Sequence, residues 1–152
     1  PMNSSAASDV YKRQDINTAL HQIFTNVRIK SFVEIRGADR TPKGFEIAPA
    51  AFWVGLLLCE KVLEKVHDVV KSWSKKDRKM LNRCAFNLDP EQEGPMKESY
   101  SYWIEFFSEL SIKGLVDRGL NEEKYFENFY SRIIENGPFS LQTQSHESKD
   151  RS

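Results

Sequence analysis

The sequence is poor in cysteine and has no excess charge of either sign. Its 152 residues include two cysteines, Cys59 and Cys84, too few for a disulfide framework or a four-ligand zinc site. Lysine plus arginine number 22 and aspartate plus glutamate also number 22. With no basic stripe either, binding to nucleic acid through bulk electrostatics is not expected. We therefore expect a cytoplasmic protein of a reducing compartment with no nucleic-acid partner.

Long apolar runs are also absent. The longest, Ile47 to Cys59, contains Pro49 and is too short to span a bilayer, and no segment has the pattern of a secretory signal. A membrane partner is therefore not expected. Aromatic residues are plentiful, with ten Phe and three Trp, which is enough to bury a core and excludes wholesale disorder. The length suits one domain.

The two ends differ from the body of the chain. Residues 1–14 are small and polar and have no helical or strand period. Val10 to Gln14 reads VYKRQ, the translation of GTG TAT AAG AGA CAG, which resembles a transposon end used in sequencing libraries. We expect residues 1–14 to be a disordered, non-native tail, and residues 142–152, which are polar and lack an apolar anchor, to be a disordered tail as well.

One segment alternates as a β-strand does. From Val27 to Arg36, β-branched residues fall on one face and mostly charged residues fall on the other, which predicts a single strand. The remaining periodic segments predict helices. These helices cover Asp15–Phe24, Ala50–Trp73, a capped segment from Ser74 to about Cys84, Met96–Val116, and a last helix capped by Asn121 and ended by Gly137-Pro138.

One strand among helices is an incomplete sheet, because the backbone groups of a strand need pairing partners. The pattern therefore predicts an α+β fold that is mostly helical, in a fragment whose remaining sheet lies upstream.

The predicted strand is the place where charged side chains converge. Glu34 and Arg36 are two residues apart, so their side chains leave the same face about 6–7 Å from each other, and Arg28 and Lys30 continue that face. In a cleft, a carboxylate can hold a divalent metal while arginines neutralise phosphate oxygens, the combination that phosphoryl transfer needs. The alternative is the solvated face of an antiparallel sheet with cross-strand ion pairs.

Two blocks of sequence carry a family resemblance. NVRIKSFVEIRGAD, residues 26–39, followed by AAFWVGLL, residues 50–57, resembles the C-terminal part of the plant-type glutamate–cysteine ligases. SWSKKDRKMLNR and ELSIKGLVDRGLNEEKYF extend the resemblance more weakly, so that it covers about residues 15–136. The resemblance implies that residues 15–141 are the C-terminal part of a catalytic domain, with one strand of a glutamine synthetase-like antiparallel sheet.

The resemblance also implies roles for residues of the strand. Glu34 would be a Mg²⁺ ligand, and Arg36 would be a catalytic residue that contacts the transferring γ-phosphate of ATP or the glutamate substrate. Arg28 would be a secondary contact to nucleotide or substrate, and Asp39 would shape the loop. The implied reaction is ATP-dependent: the γ-carboxylate of glutamate forms an acyl phosphate, and the amine of cysteine displaces phosphate to give γ-glutamylcysteine.

The sequence departs from the family pattern in the loop after the strand, where Arg40-Thr41-Pro42-Lys43 replaces a Gly-Gly-Pro-Trp, so the family's loop contacts do not carry over. The partners implied are glutamate, cysteine, ATP and the missing N-terminal part of the enzyme, without which we expect the isolated chain to be inactive. Two alternatives stay open, namely another carboxylate–amine ligase of the same superfamily and a non-catalytic helical interaction module.

Overall fold

The computed structural model describes Lys12, residues 26–29 and residues 31–143. The predicted helix Asp15–Phe24 lies outside these residues, as does nearly all of the segment 1–14 and most of the tail 142–152. The chain divides into two units, residues 1–39 and residues 40–152. Within the described residues, the first unit contains a β-hairpin, and the second contains the helices. This composition confirms the predicted α+β class with a mostly helical chain.

The hairpin corrects the prediction of one continuous strand. Strand β1 (Val27–Ile29) pairs antiparallel with β2 (Val33–Ile35), and the chain reverses between them. The Arg36 N–H also donates to the Asn26 carbonyl over 2.7 Å, so the segment supplies its own pairing partner and satisfies its backbone groups locally. The alternation of faces survives the reversal, because Val27 lies opposite Ile35 and Arg28 lies opposite Glu34.

Besides a last helical segment at residues 139–143, the described part of the second unit contains five α-helices and one 3-10 turn. They are α1 (Ala48–Leu57), α2 (Glu60–Ser72), α3 (Lys75–Cys84), the 3-10 turn Pro95–Lys97, α4 (Tyr100–Arg118) and α5 (Lys124–Asn136). None of the helices described is long and apolar enough to cross a bilayer.

The predicted long helix Ala50–Trp73 is broken into α1 and α2. Cys59 takes extended backbone angles between them (φ −103°, ψ 112°). Neither glycine nor proline marks the break, so its cause lies in packing. Helix α1 is apolar on all sides, whereas α2 has a single apolar stripe. The change of direction between the two helices brings Val62 into one buried cluster with Leu56 and Leu110.

Local signals set most of the other helix ends. Ser74 caps α3 as predicted, through a capping box in which its hydroxyl accepts from the Asp77 N–H. Gly119 ends α4 in the left-handed region at φ 68°. The predicted cap at Asn121 is wrong, because α5 begins after Glu123. Asn121 instead takes a left-handed turn conformation at φ 55°, which asparagine tolerates better than most residues.

Helices α1 and α4 cross at the centre of the helical unit. On one side of the crossing, Ala51 and Leu115 belong to a buried cluster with Ala48 and Phe126. On the other side lies the cluster of Leu56, Val62 and Leu110. Together the two clusters bury residues of α1, α2, α4 and α5 against one another.

Candidate functional site

Arg28 and Glu34 form the best-defined charged pair on the hairpin. They lie opposite each other in register, one at the centre of each strand. Arg28 Nε donates to Glu34 Oε2 over 2.8 Å, and Arg28 Nη2 lies 2.7 Å from the same oxygen. The side chains are 22% and 32% exposed, so the pair is partly shielded from solvent. Both guanidinium contacts therefore converge on one carboxylate oxygen.

This pair is the cross-strand ion pair that the structural alternative predicts. A partly exposed pair of this kind contributes about 0–1 kcal/mol to stability, so it is not a strong brace for the hairpin. The pair has a larger effect on how Glu34 could bind a metal ion than on the stability of the hairpin. A metal ion bound at Glu34 Oε2 has to share that oxygen with the guanidinium of Arg28 or displace it.

Arg36 directly follows β2. Its backbone N–H donates to the Asn26 carbonyl over 2.7 Å, which fixes it at the open end of the hairpin, two residues beyond Glu34. Asp39 lies in the exposed loop that follows. The structure therefore brings Arg28 and Glu34 together directly and continues the register to Arg36. The roles implied for these three residues stay predictions.

The residues present can be compared with the needs of a magnesium ion. Mg²⁺ sites in phosphoryl-transfer enzymes use one or two carboxylates and complete the shell with phosphate oxygens and waters. Within residues 26–29 and 31–143, no group of three or more His, Cys, Asp or Glu side chains is placed to hold a metal ion. Glu34 thus fits the part of a single ligand beside a nucleotide, and does not form a metal site by itself.

The two thiols do not form a nucleophilic site. Cys84 is buried with 2% of its surface exposed. Burial raises the pKa of the Cys84 thiol, so the reactive thiolate is disfavoured. Cys59 is half-buried at the start of α2, with its Sγ 4.0 Å from Asp117 Oδ2.

Sequence reasoning missed a pocket in the helical unit. Its residues come from the loop before α1 and from α5 and the segment after it, including Lys43, Phe45 and Arg132. These parts lie about ninety residues apart in the chain, and neither carries a recognisable motif. The only signal that could have found them is the contact between Phe45 and the aromatic residues near the end of the chain, which requires the fold.

Comparison with known proteins decides the family. The family model described as glutamate-cysteine ligase family 2 (GCS2) matches residues 2–88, more than half of the chain. The chain belongs to this family. The match contains the strand motif of residues 26–39, so the resemblance drawn from that motif is confirmed.

Plant enzymes are among its relatives. Glutamate–cysteine ligase A of Oryza sativa subsp. indica is 36% identical over 109 residues, covering 71% of this chain and 22% of the relative. The Medicago truncatula enzyme is 33% identical over 126 residues, covering 81% and 24%. The Brassica juncea enzyme is 34% identical over 126 residues with the same coverage of 81% and 24%. The chain therefore spans about a quarter of the length of the curated relatives it matches.

Two expectations about the chain are affected. The three relatives above are all named as chloroplastic, which contradicts the cytoplasmic location expected from composition. Cysteine content reports a reducing environment and cannot distinguish between compartments that share it, so the expectation was wrong. The family match begins at residue 2. The non-native origin of residues 1–14, of which Lys12 alone is described, stays a prediction.

Proposed function

We propose that the chain forms part of an enzyme that ligates the γ-carboxylate of L-glutamate to the amine of L-cysteine with ATP, the first step of glutathione biosynthesis. The family match across the Arg28–Glu34 hairpin is the observation that carries this proposal. The names of the relatives support the substrates. Because the chain spans about a quarter of those relatives, activity is assigned to the whole enzyme, and we expect the isolated chain to be inactive. We also propose a chloroplast location for this enzyme, because the relatives are named as chloroplastic.

The reaction begins with attack of a glutamate γ-carboxylate oxygen on the γ-phosphorus of ATP, which breaks the bond to ADP and gives an acyl phosphate. The amine of cysteine then attacks the acyl carbon, the C–O bond to phosphate breaks, and the amine proton leaves. Phosphorylation converts a poor leaving group into a good one. The difficulty is electrostatic, since two anions must meet.

The hairpin residues fit the needs of this step. Arg36 would stabilise the negative charge of the transferring phosphate or hold the carboxylate of glutamate, since a guanidinium can pair with either anion through two hydrogen bonds. Glu34 would supply one oxygen to Mg²⁺, whose charge neutralises phosphate oxygens. Arg28, held 2.7 Å from Glu34, would add positive charge at the same place.

The sharpest test compares two variants that break the same ion pair. Residues 26–143 replace the corresponding segment of the Brassica juncea relative, and Glu34→Gln is compared with Arg28→Gln. If Glu34 is a metal ligand, Glu34→Gln lowers kcat by about 100-fold and raises the Mg²⁺ concentration needed for half-maximal rate. Arg28→Gln should give a smaller loss with the Mg²⁺ requirement unchanged. The measurement is phosphate release with glutamate, cysteine and ATP.

The structural alternative makes a different prediction for the same experiment. If the pair only braces the hairpin, both variants lose the same interaction and have equal, small effects, with no change in the Mg²⁺ requirement. That outcome would remove Glu34 from the site. A folded but inactive unsubstituted chimera would count against the ligase function of this segment as a whole.

A further inference from the structure

The pocket in the helical unit has the features of a binding site. It is open to solvent and has a volume of about 310 Å³, at the small end of the range of pockets that hold organic ligands. None of its lining residues belongs to the hairpin. The lining consists of Pro42, Lys43, Phe45, Arg132, Phe139, Gln142 and Thr143.

Aromatic rings form one wall of the pocket. The centroids of Phe45 and Phe139 are 5.7 Å apart, and both rings contact Phe129 behind them, each with a centroid distance of 5.7 Å. Phe129 and Phe139 are stacked with an interplanar angle of 22°. Three rings in mutual contact give a rigid apolar surface, against which a flat apolar group can pack.

Arg132 is held in place over this wall. Its guanidinium lies 5.3 Å from the centre of the Phe139 ring and 5.9 Å from that of Phe45. Arg132 Nε donates to Gln142 Oε1 over 3.4 Å, and Gln142 Nε2 in turn donates to the Gly137 carbonyl over 2.6 Å. Ring contacts and the glutamine together restrain the cation, which lowers the ordering cost of binding a ligand.

The charge of the pocket is entirely positive. Lys43 and Arg132 both line it, and no lining residue is acidic. Neither cation forms an ion pair with a carboxylate in the described part of the chain. The carboxylate nearest to Lys43 in sequence, Glu46, instead accepts a hydrogen bond from the Gly44 N–H over 2.9 Å. Two cations beside an aromatic wall can therefore accept an anion from outside the chain.

From this combination we propose that the pocket binds a small aromatic carboxylate. The ring of the ligand packs on the wall of Phe45 and Phe139, while its carboxylate pairs with Arg132 and Lys43. A guanidinium binds a carboxylate through two parallel hydrogen bonds, and a restrained guanidinium does so with greater selectivity than a mobile lysine. This proposal does not depend on the ligase function.

The test is an NMR titration in which benzoate is added to the ¹⁵N-labelled 152-residue chain. We expect saturable shifts confined to the amides of Lys43, Phe45 and residues 139–143. Benzyl alcohol has the same ring without the charge, and inorganic phosphate has charge without a ring. Each should bind at least about tenfold more weakly than benzoate, because a charge-assisted hydrogen bond and ring packing each account for a factor of this order.

Four variants make the test specific. Arg132→Gln and Lys43→Gln remove one pocket cation each, and both should weaken benzoate binding by about tenfold. Arg83→Gln and Lys61→Gln are matched exposed controls outside the pocket and should leave the affinity unchanged. If Arg132→Gln loses its dispersed NMR spectrum and is therefore unfolded, the affinity of Lys43→Gln for benzoate decides the test. Lys43 is exposed, so its substitution should leave the fold intact. Equal binding of benzoate and benzyl alcohol, equal binding of benzoate and phosphate, or unchanged affinity in Lys43→Gln would each overturn the proposal.

Discussion

The carbonyl oxygen of Gly55 in α1 lies against the α-carbon of Gly114 in α4. A Cβ atom at Gly114 would overlap this carbonyl, and a Cβ at Gly55 would overlap the backbone of Ser111. Ser111, fully buried, donates from its hydroxyl to the Phe52 carbonyl over 2.9 Å. The two helices therefore approach with their backbones in contact, and this contact lies between the two buried clusters of the helical unit.

Gly114→Ala should destabilise the helical unit. The added methyl group meets backbone atoms, which cannot rotate away, so the helices must separate. Overpacking typically costs about 1–3 kcal/mol and occasionally more, whereas alanine exceeds glycine in helix propensity by only about 1 kcal/mol. We expect a net loss of about 2 kcal/mol in the free energy of unfolding, measured by urea denaturation.

Ser111→Ala is the matched control for that crossing. It removes the hydrogen bond to the Phe52 carbonyl without adding volume, so it should cost about 1 kcal/mol, less than Gly114→Ala. A Gly114→Ala variant as stable as the unsubstituted chain would show that α1 and α4 do not approach this closely.

The helix ends show what the sequence can predict. The cap at Ser74 and the stop at Gly137 were both predicted, because each signal acts on residues within one turn of itself. The Gly55–Gly114 contact was not predicted, since its two glycines are 59 residues apart and neither has a local conformational need for glycine. That contact exists only once two helices have been placed against each other.

The two largest errors have the same origin. The break at Cys59 and the reversal between Ile29 and Val33 are not marked by glycine or proline, and both depend on what the flanking residues contact. The strand alternation correctly separated the apolar residues from Arg28 and Glu34. It could not show that Arg28 and Glu34 lie opposite each other on paired strands, because that pairing depends on the turn between the strands.

Asp77 provides a prediction about pH. A hydrogen bond from the Ser74 hydroxyl over 2.6 Å, and a second from the Ser74 backbone N–H over 2.9 Å, hold the pKa of Asp77 below its ordinary value. A lowered pKa in the folded state stabilises the fold above the unfolded pKa of about 3.9. This stabilisation is lost as the pH falls through the folded pKa.

Ser74→Ala should therefore raise the pKa of Asp77, measured by an NMR titration of its side-chain carboxyl carbon. Asp77→Asn should reduce the loss of stability between about pH 6 and about pH 2.5, measured by urea midpoints at both values. An unchanged titration of Asp77 in Ser74→Ala would show that the hydroxyl does not bond to the carboxylate in solution.

Trp103 anchors the start of α4 through its indole nitrogen. Its Nε1–H donates to the Pro95 carbonyl over 2.9 Å, and its ring lies 4.8 Å from that of Trp73, with 5% of the residue exposed. Trp103→Phe removes this hydrogen bond, while the Pro95 carbonyl still accepts from the Glu98 N–H over 3.1 Å, so we expect a loss of about 0.5–1.5 kcal/mol. Urea denaturation measures the loss. Tyr102→Phe, on the exposed neighbouring ring, should change stability by less than about 0.5 kcal/mol, and equal effects would contradict the assigned bond.

Exchanging the charges of Arg28 and Glu34 separates hairpin stability from chemistry. Arg28→Glu combined with Glu34→Arg restores an ion pair across the same register, so cross-strand NMR contacts between Val27 and Ile35 should persist in the 152-residue chain. Arg28→Glu alone places two carboxylates opposite each other and should weaken those contacts.

In the chimeric enzyme the exchange moves the carboxylate to the other strand, away from the position proposed to hold Mg²⁺. We therefore expect phosphate release to fall by about 100-fold or more with the hairpin intact. Turnover that survives the exchange would mean that only the pairing matters and that Glu34 holds no metal.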